Sequence, residues 1–235
     1  MAARIAPEID RLRLALAKAA GAHIGEVAGR YDIGQAGAYL LAMLRNTMPD
    51  RVVEQRAVAT IFRYGQQARF DTGLTELLSA GLIEQLPGAK VTLTQRGREA
   101  LGGYFAVSAR IVDELWAAHD TSTLAELTAR CLADVSDGGA TFSVLAPPYV
   151  PPGSSDAVRL AEDLSALRFH RFDAHIAAWA AAGLTAEEVQ ALADDDPRRA
   201  AIEDETNRRA STPYAALTAE EAGALIDGLA ALPAN

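Results

Sequence analysis

The sequence predicts a mainly α protein carrying one small β-hairpin, and three observations lead there. Apolar residues recur at three- and four-residue spacing along most of the chain. The period changes only over residues 82–94, and several segments open on capping residues.

Taken in order, Ile5, Ile9, Leu12 and Leu16 form one stripe of a first helix, expected over about Pro7 to Lys18 and ending at Gly21. A second helix runs from Gln35 to Met48, where Pro49 stops it. Asp50 caps a third, with Val53, Ala57, Thr60 and Ile61, which breaks near Gly65; a fourth spans about Gln66 to Ala80, with Gly81 as its C-cap. Residues 82–86 and 90–94, around Pro87-Gly88-Ala89, read as a hairpin. Helix resumes at Gln95 and continues to Trp116, with Gly102-Gly103 as a place for a kink. A further helix covers Thr123 to Val135. SVLAPPYVPPGSSD, with four prolines, then reads as an extended linker over 143–156.

Beyond the linker everything reads as helix: about Asp156 to Ala182, Ala186 to Ala193, Pro197 to Ala210 and Ala219 to Leu232. Thr185 with Glu188 and Thr218 with Glu221 match the capping box, and Asp196 before Pro197 is a third start.

Composition bounds the function. Half of the 235 residues are hydrophobic and the formal charge is -9, the profile of a soluble domain protein. No apolar run approaches the ~20 residues of a membrane span. A single cysteine, Cys131, fits a reducing cytoplasm and reads as a buried small hydrophobe. Charge is unevenly placed, however. Residues 1–110 hold 14 basic against 10 acidic groups, a net +4, and residues 111–235 hold 8 against 21, a net -13. Two units follow, 1–118 and 119–235, and any nucleic-acid contact belongs to the first.

The ordered series of helices, LTELLSAGLIEQ, a hairpin and VTLTQRGREAL resembles the winged helix-turn-helix domain of MarR-like regulators, over roughly residues 35–101. That resemblance implies a winged-helix unit followed by a helical domain, and a homodimer held by the N-terminal helix and the long helix around Trp116. It also implies double-stranded operator DNA as partner, met by Arg63, Gln66, Gln67 and Arg69 near the presented helix, Lys90 on the wing, and Arg96 and Arg98 beyond it. Arg and Gln suit guanine and adenine edges, and Lys suits phosphate. Against this, Asp71 and Glu76 on or near that helix would repel phosphate. A winged helix serving only as scaffold therefore stays open.

In the acidic half, LRFHRFDAHIAAWAAAGLTAEEV and AIEDETNRRASTPYAALTAEEAGALIDGLAALP are similar to the SalK-like proteins of actinobacterial biosynthetic neighbourhoods, a family without a secure activity. Arg168, Arg171 and His175 fall on one helical face at i, i+3 and i+7, with Asp173 elsewhere. His170 and His175 are five apart and poorly placed for one metal, and no metal or cofactor motif accompanies them. Two readings stand side by side. One is a pocket for a small anion, built from Arg168, Arg171 and His175 with Glu203, Asn207 and Tyr214. The other is a structural network pairing the arginines with Glu203 or Asp204. The overall expectation is a cytoplasmic winged-helix regulator without catalytic residues. The alternative is a biosynthetic enzyme or small-molecule binder using the pocket near Arg171 and His175, or an adaptor between proteins.

Overall fold

The structure, a computed structural model, describes residues 1–44, 51–62, 66–133, 135 and 138–234. Eleven α-helices and three short strands are found among them, in a mainly helical chain with one small antiparallel sheet. The helices are α1 (Ala2–Tyr31), α2 (Gln35–Leu44), α3 (Gln55–Ala59), α4 (Gln67–Ser79), α5 (Gln95–Trp116), α6 (Ser122–Ala133), α7 (Gly139–Leu145), α8 (Asp156–Ala181), α9 (Ala186–Ala191), α10 (Pro197–Ala210) and α11 (Ala219–Ala231). The strands are β1 (Val53–Glu54), β2 (Ile83–Leu86) and β3 (Lys90–Leu93), in the order β1-β3-β2.

Two large hydrophobic cores organise the described residues, beside a small third one of Ala178, Leu192 and Ile202, and α1 belongs to both large ones. Ile5, Ile9, Leu12 and Leu16 bury with Trp116, Leu160, Leu164, Leu225 and Leu229. Further along the same helix, Ile24, Val27, Ala28 and Tyr31 pack against the second core, which holds Leu40, Leu41, Leu77, Ile83, Val91 and Phe105. That second contact is why α1 does not stop at Gly21. Three glycines, each costing about 1 kcal/mol in a helix, are overridden by tertiary packing, and the helix ends at Asp32, whose φ of 53° is left-handed. The cores therefore do not divide at residue 118, because both Ile5 and Trp116 lie in the core of the C-terminal helices.

The surfaces expected to hold a second copy are consumed inside the chain. Trp116 is 1% exposed, its Nε1 donates to the Pro233 carbonyl at 3.2 Å, and the apolar stripe of α1 is covered by α8 and α11.

Three local expectations change. The segment from Val53 begins as β1, pairing Val53 with Val91 and Glu54 with Lys90, before α3 starts at Gln55; two residues are too few for a period-2 signal. Asp50, its expected cap, lies outside the described residues, as does the end of the second helix beyond Leu44. Within the expected linker, Ser143–Leu145 are the last turn of α7, and Val144 and Leu145 bury in the second core. Asp173 on α8 holds that helix in place: its Oδ2 accepts from the Phe142 N–H at 2.7 Å. Gly139 sits at φ 80°, and a Cβ there would come within 2.5 Å of the Asp173 side chain. Finally, α5 runs unbroken through Gly102-Gly103.

Other starts form as their residues require. Both Thr185–Glu188 and Thr218–Glu221 make complete reciprocal capping boxes, and Asp196 accepts from Arg198 N–H ahead of Pro197.

Candidate functional site

The site grows from two helices and a turn. Ser155 caps α8 by accepting from Val158 N–H, and the helix is buried along most of its length by Leu160, Leu164 and Leu167. By contrast α10 is strongly polar and buries only Ile202, Thr206 and Ala210, three residues spaced four apart and laid against α8. The Pro213-Tyr214 turn follows, carrying Tyr214 back beneath them. Between α1, α8 and α10 lies an open cleft of about 280 Å³.

Of the six residues expected to bind a ligand, Arg168, Arg171, His175, Glu203 and Tyr214 line this cleft. Asn207 stands behind them. Arg171 Nη2 donates to Glu203 Oε1 in a short ion pair and to Asn207 Oδ1 at 3.3 Å, and Asn207 Nδ2 donates to Glu203 at 3.4 Å. Pocket and network are therefore one set of side chains. Arg168 does not reach α10. Its Nε donates to Asp10 on α1 at 2.6 Å, a partner 158 residues away that no local pattern could reveal.

The charges in the cleft balance: two guanidiniums on one face of α8 face one carboxylate on α1 and one on α10. His175 adds none. Its Nδ1 lies 3.0 Å from Thr206 Oγ1, whose own hydrogen goes to the Ile202 carbonyl at 2.7 Å, so Nδ1 donates and Nε2 is the acceptor nitrogen. Burial, with a smaller opposing pull from Glu203, holds the imidazole below its usual pKa and hence neutral near pH 7. Tyr214 is 7% exposed, its hydroxyl makes no hydrogen bond to any described residue, and burial pushes its pKa above the ordinary phenol value.

His170 and Asp173 face elsewhere. His170 is buried edge-to-face on Phe142, with ring centroids 5.4 Å apart, and Asp173 caps α7. Among the described residues, no group of three or more His, Cys, Asp or Glu could hold a metal ion, and no helix is long and apolar enough to cross a membrane. Cys131 is fully buried, and its thiol is pushed up to about 12 by that burial, which removes its nucleophilic form.

The residues expected to meet DNA are less convergent. Arg63 lies outside the described residues. Gln66 and Gln67 are exposed at the start of α4, and Gln67 donates to Asp71 at 2.9 Å. Arg69 stacks 4.0 Å above the Tyr39 ring, Arg96 lies 5.7 Å over Tyr31, and Arg98 donates to the Leu93 carbonyl at 2.9 Å. Lys90 is exposed on β3. The solvent face of α4 bears Gln67, Ala68, Asp71, Thr72, Thr75 and Ser79, without a cation. Glu76 does not share that face: its Oε2 accepts from Gly37 N–H at 2.6 Å and caps α2.

The chain matches no protein-family model, no curated protein and no solved structure.

Proposed function

We propose that this chain is a small-molecule-binding protein of winged-helix architecture, with the cleft between α1, α8 and α10 as its binding site for a ligand bearing an anionic group. The observation that carries the reading is the convergence on one cavity of Arg168, Arg171 and His175 from α8 with Tyr214 from the turn after α10. A concave site with a few converging polar groups and apolar walls is what ligand recognition needs. The winged-helix assignment is supported by the order α2, β1, α3, α4, β2, β3 and by the β1-β3-β2 sheet, in which the hairpin after α4 forms the wing.

A thermal-shift screen with small carboxylates and phosphates tests this. Saturation at about 100-fold over Kd adds roughly 2.7 kcal/mol, which raises Tm by about 5–10 °C for a chain of this size. The Arg168→Gln/Arg171→Gln double variant is expected to lose the shift. A ligand whose shift survives in that variant binds elsewhere and contradicts the assignment.

The same topology favours a second reading, in which the small-sheet unit meets operator DNA through Gln66, Lys90, Arg96 and Arg98. Because α1 and Trp116 are covered within the chain, an operator-binding homodimer would form through other faces. Fluorescence anisotropy on promoter duplex is the test: affinity falls steeply with salt if phosphates are contacted, and absence of binding at low salt removes this reading.

A further inference from the structure

The electroneutrality of the cleft points to more than an anion. An anion-binding pocket keeps an excess of positive charge facing its ligand. Here each arginine is already matched, Arg168 by Asp10 and Arg171 by Glu203, with His175 neutral. The opposite charges are nevertheless segregated. Both cations rise from one turn of α8, three residues apart, and the two carboxylates come from other walls, α1 and α10. We infer that the cleft binds a zwitterion, a molecule of α-amino-acid type, whose carboxylate joins the arginines and whose ammonium group joins Glu203 and Asp10. This rests on the binding site proposed above and names its ligand class.

Three further observations fit. The cavity, about 280 Å³, equals roughly nine waters at about 30 Å³ each, the scale of a single amino acid. Its walls include Ile9, Leu167 and Phe172, which suit an apolar side chain. Tyr214 lines the same cleft, and its hydroxyl, which is not enclosed by protein, can exchange a hydrogen bond with a ligand atom. A bound zwitterion would turn two internal ion pairs into a six-charge cluster of the same net charge, so no uncompensated charge is buried. An anion alone would leave Glu203 or Asp10 facing it without a cation of its own.

The test is isothermal titration of the full chain with each of the twenty α-amino acids, their N-acetyl derivatives, which keep only the anion, and their amides, which keep only the cation. At least one amino acid is expected to bind tenfold or more tighter than both of its derivatives. Glu203→Gln, at a half-exposed position, is expected to melt as the parent does. It should shrink the preference for the zwitterion over its N-acetyl derivative by tenfold or more, because Arg171 is released to the anion while the ammonium loses its partner. Should Glu203→Gln fail to fold, Asp10→Asn serves the same comparison. An N-acetyl derivative binding as tightly as its parent overturns the zwitterion and leaves the anion site standing, as does binding of simple carboxylates without any amino acid. Binding of none of these probes overturns both.

Discussion

Replacing Asp163 with Asn will make the protein more stable at pH 8 and remove most of its pH dependence between about 4 and 8. Asp163 lies on α8, 8% exposed, with its Oδ2 3.1 Å from Thr128 Oγ1 on α6. Burial raises its pKa from an ordinary 3.8 to about 7, with Glu162 adding to the rise and Thr128 opposing it. Below about pH 4 the acid is protonated folded and unfolded, and its stabilising contribution is complete. As pH climbs from there the unfolded chain releases the proton first, so stability falls until the folded group ionises near pH 7. At about 1.4 kcal/mol per pKa unit the loss is of the order of 4 kcal/mol at most. Asn retains a hydrogen-bonding partner for Thr128 and cannot ionise. Urea denaturation at pH 5 and pH 8 measures this. A variant no more stable than the parent at pH 8, or with the same pH slope, would contradict the account.

Gly97→Ala will be among the most damaging single-methyl additions in the molecule. A Cβ at this position would fall 1.9 Å from the Leu82 carbonyl oxygen and 2.9 Å from Leu93 Cδ2, and the first of these is backbone that cannot swing aside. The glycine is the centre of a compact joint. Thr94 Oγ1 accepts from Gly97 N–H at 3.0 Å and donates to the Gly81 carbonyl at 2.6 Å, while Arg98 donates to the Leu93 carbonyl. The start of α5, the end of α4 and both hairpin strands are thus fixed together. Overpacking alone costs about 1–3 kcal/mol, and separating α5 from β2 adds to it, so a loss of about 3 kcal/mol or more is expected in chemical denaturation. A loss under about 1 kcal/mol would mean that the joint yields easily.

That joint also explains why part of this molecule was legible in its sequence. The Leu93-Thr94-Gln95-Arg96-Gly97-Arg98 run that carries the resemblance to MarR-like domains is a structural device: Thr94 caps, Gly97 lets α5 approach β2, and Arg98 closes the strand end. Such motifs are local, so sequence reveals them, as it revealed both capping boxes and the shared face of Arg168, Arg171 and His175. What stayed hidden depends on contacts across the chain. Asp10 as the partner of Arg168, Asp173 and Glu76 as caps for helices they do not belong to, and the continuation of α1 through three glycines all arise from packing between distant segments. The position of Glu76 along α4 was visible in the sequence, and its partner on α2 was not.

The histidine side-chain NMR spectrum offers the most direct test of the central claim, that a ligand occupies the cleft between α1, α8 and α10. The chain has four histidines, of which only His175 lines the cleft. Saturation with the tightest ligand from the titrations is expected to move the His175 ring resonances, Nε2 most of all, and to leave His23 and exposed His119 where they were. A ligand that binds with full occupancy while His175 stays unmoved, or that shifts His23 or His119 instead, would contradict the claim.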